Sequence, residues 1–196
     1  MKTLFTAAAG LAASLLLTSC VVDSVQPLSS PDQARADSRL AGIWRGKEGG
    51  LTTFTPAQGA WLHVKIVGPP GDKEAPGFYD VFPTTIGHYT FLNVRSSGKN
   101  DRGNTTTGYF IIRYAIASNH VLQMWMMSQD AAADAVRSGK LKGHIQATGL
   151  KLANPSRPDF DVTFQDTGVN LTKFIQNSDI PALFNDEMNP SERVSD

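Results

Sequence analysis

The chain has 196 residues, with 18 Lys and Arg against 18 Asp and Glu, so its formal net charge is zero. No basic run tracks along it, which argues against nucleic acid as a partner, because phosphate backbones call for clustered Lys and Arg. A single cysteine rules out an intrachain disulfide, so the folded part must be held by its apolar core.

The first twenty residues carry Lys2, then an uncharged stretch rich in Ala and Leu, then small residues at Thr18 and Ser19. This is the layout of an export signal. Interrupted by Gly10 and several Ser and Thr, the stretch is marginal for spanning a hydrocarbon core of about 30 Å. Leu17-Thr18-Ser19-Cys20 resembles the bacterial lipobox. The resemblance implies a diacylglyceryl group on the Cys20 thiol, cleavage just before it, and a membrane anchor through that lipid. Residues 1–19 are then a signal peptide, and about 180 residues remain, a size at which one domain buries most of its unfolded surface. Val21 stands where an aspartate marks inner-membrane retention in enteric-type lipoproteins, so the same resemblance implies the outer membrane, facing the periplasm.

Residues 21–39 hold two prolines, four serines and three aspartates without a sustained apolar period. That composition predicts a flexible tether which, as a coil of about 18 residues, would span roughly 25 Å. A single β-rich domain is expected over 40–196. Within it, Leu62, Val64 and Ile66 alternate with Trp61, His63 and Lys65 over Trp61–Val67, the period of a half-buried strand. Phe78–Thr85 and His88–Arg95 form two more runs, parted by Ile86-Gly87. Tyr109–Ala117 places Phe110, Ile112, Tyr114 and Ile116 on one face. Ser118-Asn119 then predicts a tight hairpin into His120–Met127, and Leu141–Thr148 and Phe160–Phe164 complete the strands.

Two helices are expected. Ser128 can cap Gln129–Ser138, with Asp130 in the first turn, Arg137 in the last and Gly139 as the stop. Asn170 is the expected cap of a short C-terminal helix carrying Leu171, Phe174 and Ile175 on one side. Gly and Asn crowd into Ser96–Gly108, which reads as a long hairpin loop. The fold expected is mainly β: an antiparallel meander curled into a lipocalin-like barrel or half-barrel, with one inserted short helix and a short C-terminal one.

Catalytic signatures are missing. The sequence holds no GxSxG, GxxxxGK[ST] or HExxH. His63, His88, His120 and His144 show no metal-ligand spacing to one another or to a carboxylate, so neither a metal nor a cofactor is expected. Ser96 and Lys99 satisfy an SxxK spacing, but the surrounding Gly, Asn and Asp oppose the helix that would align them. The Asn104-Thr105-Thr106 sequon carries little weight beside a bacterial lipobox. No enzyme is expected.

Gly42-Ile43-Trp44 resembles the GxW signature of lipocalins, whose tryptophan closes the narrow end of an eight-stranded barrel; the family's later Thr-Asp-Tyr motif is absent. Ser97-Gly98 opens a loop similar to that of periplasmic lysozyme inhibitors, yet Asp101 stands where their tyrosine would. Met124-Trp125-Met126-Met127 is apolar on both strand faces, which fits a strand covered on both sides or an adaptable ligand lining. The candidate core or ligand-lining residues are Trp44, Phe110, Ile112, Tyr114, Ile116, Met124 and Met126. The function expected is binding of an apolar or amphiphilic small molecule such as a lipid or fatty acid. The alternative is a non-catalytic interaction protein docking on another envelope protein through Arg95, Lys99 and Arg102, or through the C-terminal segment.

Changing Cys20 to Ser should abolish metabolic palmitate labelling and leave the signal uncleaved; labelling that survives the substitution would remove the anchor.

Overall fold

A computed structural model describes residues 22–96, 108–117, 120–147 and 160–194. Eight antiparallel strands close into a barrel: β2 (Gly42–Gly46), β3 (Leu51–Pro56), β4 (Leu62–Val67), β5 (Gly77–Ile86), β6 (Tyr89–Ser96), β7 (Tyr109–Ile116), β8 (Val121–Met126) and β12 (Ser191–Arg193). They pair in chain order, and β12 joins β8 back to β2 through Ser191↔Leu122 and Arg193↔Trp44. The two-residue strand β11 (Asp186–Glu187) continues the same line along β8, through Asp186↔Met126. The expected curled meander is therefore a closed ring. Its last stave is a C-terminal strand too short to show a period in the sequence.

Alternation explains which face turns inward. In β4, Leu62 and Val64 are buried and His63 and Lys65 exposed. Phe110, Ile112, Tyr114 and Ile116 of β7 all pack with the interior cluster. The predicted runs differ from the observed strands mainly at their ends, but β3 (Leu51–Pro56) has no counterpart among them. The turn predicted at Ile86-Gly87 falls one residue later, with Ile86 inside β5 and Gly87 at φ 62°. The loop Ser96–Gly108 and the turn Ser118-Asn119 lie almost wholly outside the described residues. His120 has φ 62° and donates its N–H to the Ala117 carbonyl at 3.0 Å, and the flanking strands pair antiparallel, with Ile116 opposite Leu122.

A second layer grows from a fork in β7. Toward its C-terminus β7 pairs with β8 from Ile112 onward, while Tyr109 and Phe110 pair instead with β1 (Val22–Ser24). From β1 the sheet continues to β10 (Phe160–Phe164), in parallel, and to β9 (Gly143–Ala147). Helices α1 (Gln129–Arg137), α2 (Gly168–Gln176) and α3 (Ile180–Leu183) belong to this layer. Their buried residues join a second apolar core with Phe91, Ile111, Val162 and Phe164. Ser128 caps α1 as expected, its Oγ accepting from the Ala131 N–H. The second helix starts earlier than predicted, because Thr167 is its cap and Asn170 donates its N–H to the Thr167 hydroxyl oxygen at 3.2 Å.

Residues 22–39 are not the flexible tether their composition suggests. Beyond β1, the buried Leu28 is fixed from both sides: its N–H donates to Asn93 Oδ1 at 2.7 Å and its carbonyl accepts from the Thr172 hydroxyl at 2.7 Å. Asn93, fully buried on β6, also donates to the Thr84 hydroxyl oxygen at 2.8 Å and the Phe82 carbonyl at 3.2 Å. A buried amide satisfied in this way specifies one docking position. Polar composition misled here because Ser24 and Ser29 bond within the protein, Ser24 to the Gln26 carbonyl and Ser29 to the Thr84 hydroxyl, rather than to water.

Leu28→Ala should lower unfolding free energy by about 2 to 5 kcal/mol, the cost of emptying a buried site, in urea titration of the domain; a tether would leave the midpoint unchanged.

Candidate functional site: the barrel interior and its two ends

The interior is graded along its axis. At one end the chain enters β2 past Leu40 and Gly42. Trp44 is 0 % exposed, and its Nε1–H donates to the Leu40 carbonyl at 2.8 Å. The Arg193 guanidinium lies 4.5 Å from the Trp44 ring centre and donates to the carbonyls of Ala41, at 2.7 Å, and Arg39. This also explains the glycine of the Gly42-Ile43-Trp44 motif. Gly42 sits at φ 127°, and a Cβ there would stand 2.7 Å from Arg193 Nη1, so a side chain would meet both backbone strain and a clash.

Asp37 adds a second tie at this end. It accepts from Arg39 Nε at 2.9 Å, from Arg39 Nη2 at 2.7 Å and from the Tyr114 hydroxyl at 3.0 Å. The Arg39 hydrogen bonds hold its carboxyl below the ordinary carboxylate range, and burial pushes the Tyr114 hydroxyl up.

The waist is filled. Phe54, Leu62, Val81, Leu92, Ile112, Tyr114 and Leu122 are all buried there. Toward the opposite end, where β4 and β8 finish and β5 and β7 begin, the inward-facing residues are Ile66, Tyr79, Phe110, Met124, Met126 and Met188. These pack on the interior cluster but are only half-buried. Met188 is held in place by its N–H donating to the Met124 carbonyl at 2.9 Å. This end is a rim of apolar side chains, three of the six being flexible methionines.

The seven candidate lining residues thus separate. Trp44 seals the closed end, Ile112 and Tyr114 fill the waist, and Phe110, Met124 and Met126 meet at the rim. Ile116 lies apart, bordering a cleft of about 280 Å³ at the closed end with Arg39, Ala117, His120 and Arg193. A larger cleft of about 360 Å³ lies outside the barrel, between Ile86–Tyr89 and the segment Gln176–Pro181. Trp125 and Met127 face the outer core, as alternation requires, so the Met-rich strand is both covered by the second layer and turned toward the rim.

The candidate docking loop divides. Arg95 is held on the outer wall by Asp80, at 3.4 Å, and by the Trp61 ring, 4.9 Å away. Lys99 and Arg102 lie outside the described residues. The histidines stay dispersed: His63 Nδ1 is 2.8 Å from Asp80 Oδ1, and His88 stacks on Tyr89 at 4.1 Å. Among the described residues, no three His, Cys, Asp or Glu side chains come together as metal ligands, and no helix is long and apolar enough to cross a membrane. Sequence reasoning missed Met188, Arg193 and Asn93. The first two sit in or beside strands of two or three residues, and Asn93 interrupts an apolar face, the one signal that could have marked it. No family model, curated protein or solved structure matches the chain.

Because the folded-state pKa of Asp37 is depressed below 3.8, its stabilising effect is present above that pH and is lost as pH falls through the folded value. The melting temperatures of the parent and of Asp37→Asn should therefore differ most near neutral pH and converge in acid.

Proposed function

We propose that this chain is a non-catalytic envelope lipoprotein, anchored through Cys20 to the outer membrane on its periplasmic side, whose barrel binds an apolar or amphiphilic small molecule such as a fatty acid or lipid. The observation that carries the binding role is the axial grading of the interior. One end is sealed by Trp44 and Arg193, whereas inward-facing apolar side chains at the other end keep part of their surface in water.

Leaving such surface exposed costs about 25 cal/mol per Å², and a ligand's hydrocarbon would recover it. Met124, Met126 and Met188 suit this role, because an unbranched thioether chain repacks around differently shaped guests at low rotamer cost. The filled waist makes the site a shallow one. An acyl chain would seat by spreading the rim methionines, with its polar head left at the opening.

Residues 21–196, made without the anchor so that attached acyl chains cannot compete, should bind an environment-sensitive fatty-acid probe with micromolar affinity, about −8 kcal/mol. Met126→Trp should weaken that binding by more than it lowers unfolding free energy. A domain that shows no saturable probe binding, and loses only stability on substitution at Met126, would give way to the docking reading.

A further inference from the structure

We infer that the rim of the barrel is seated on the lipid surface, so that its ligand arrives from the bilayer rather than from solution. The inference rests on the reading of Cys20 as lipidated, and two independent observations carry it.

The first is reach. Only Val21 separates Cys20 from β1, and β1 is an integral strand: Asp23 is in register with Phe110, one of the rim residues, on one side and with Thr163 on the other. Three residues of chain extend at most about 11 Å. The anchor is therefore tied within about 11 Å of Asp23. Because β1 runs toward the rim, its entry at Val22 lies on the waist side of Phe110, so reach fixes the domain close to the lipid and the surface must say which end faces it. A flexible tether would have let the domain stand clear of the head groups. A strand that begins two residues after the lipidated cysteine does not.

The second is where the large exposed apolar side chains fall. Five are exposed among the described residues: Val25, Ile43, Val67, Phe78 and Val169. Val67 ends β4 and Phe78 follows the first residue of β5, both at the rim, and Phe78 is 54 % exposed. Val25 directly follows β1 at the end where Ser24 pairs with Tyr109, the first residue of β7. Val169 lies in the first turn of α2, which the chain enters from the end of β10 that pairs with Ser24. Ile43 alone belongs to the sealed end. Four of the five thus lie toward one end, where Phe78 and Val67 would dip into the head-group boundary as interfacial side chains do.

The occupant of this surface is thus the bilayer that holds the acyl chains. The consequence for ligand traffic is direct, because an amphiphile leaving the membrane would meet Met126 and Phe110 without crossing water.

The test uses the full chain, matured and lipidated in a bacterium, and reconstituted into phosphatidylethanolamine–phosphatidylglycerol vesicles carrying head-group spin-labelled lipid. Since Cys20 is the sole native cysteine and is consumed by the lipid, an introduced cysteine is the single free thiol. Glu74→Cys places a fluorophore in the exposed β4–β5 loop at the rim, and His88→Cys places one in the turn at the sealed end. Fluorescence at position 74 should be quenched and that at 88 should not. Quenching at neither position, or at 88 alone, in protein whose intact mass shows the acyl groups would overturn the docking while leaving the anchor and the probe-binding site standing. Protein recovered without acyl mass would overturn both the anchor and the docking.

Discussion

The contact between Arg193 and Trp44 joins the two extremes of the folded domain and turns a sheet into a ring. A strand of three residues contributes few ladder hydrogen bonds, and by itself β12 would be a weak closing stave. The guanidinium stacked on Trp44, with two of its N–H groups on the carbonyls of Ala41 and Arg39, fixes that strand in register at the point where the barrel has to close. A cation over an indole face adds to that grip, with Trp44 wholly buried and Arg193 partly in water. Closure removes the edges that an open meander would leave for aggregation.

Closure also determines where the apolar surface goes. Once the ring is formed, the inward side chains of β4 to β8 have only the waist to fill, and bulky residues fill it. The sealed end takes Trp44, while the rim residues have no plug above them among the described residues. The fork in β7 then does for the outer wall what Trp44 does for the interior. Because Phe110 and Tyr109 leave β8 for β1, the outside of β6 and β7 is roofed by α1, α2 and the β1–β10–β9 extension, giving a second core around Phe91, Phe164 and Phe184. Phe91 and Phe184, with ring centres 5.1 Å apart, join barrel and roof.

This layering changes the meaning of the N-terminal segment. As a coil it would be a spacer. Pinned by Asn93 and Thr172 at Leu28, it becomes part of the wall, and the anchor proposed at Cys20 would be coupled to the orientation of the barrel rather than merely to its address.

Local chemistry was legible in the sequence wherever a residue's own period or cap decides the outcome. The inward face of β7, the alternation of β4, the Ser128 cap of α1 and the two-faced Met124–Met127 run all follow from neighbours within a few positions, because strand period and helix capping are local properties. The Gly42-Ile43-Trp44 corner was visible as a motif, but the reason for its glycine was not, since Arg193 lies about 150 residues away in the chain and only barrel closure brings it there. The same limit hid β1, β11 and β12. Strands of two or three residues carry no period, and their existence depends on partners that the sequence does not name. Of the candidate site, the sequence determined which side chains are apolar and which of them share a strand face. Whether a given one fills the waist, as Ile112 does, or stands half-open at the rim, as Met126 does, was decided by the register of eight strands around a closed ring, a long-range property that no local pattern contains.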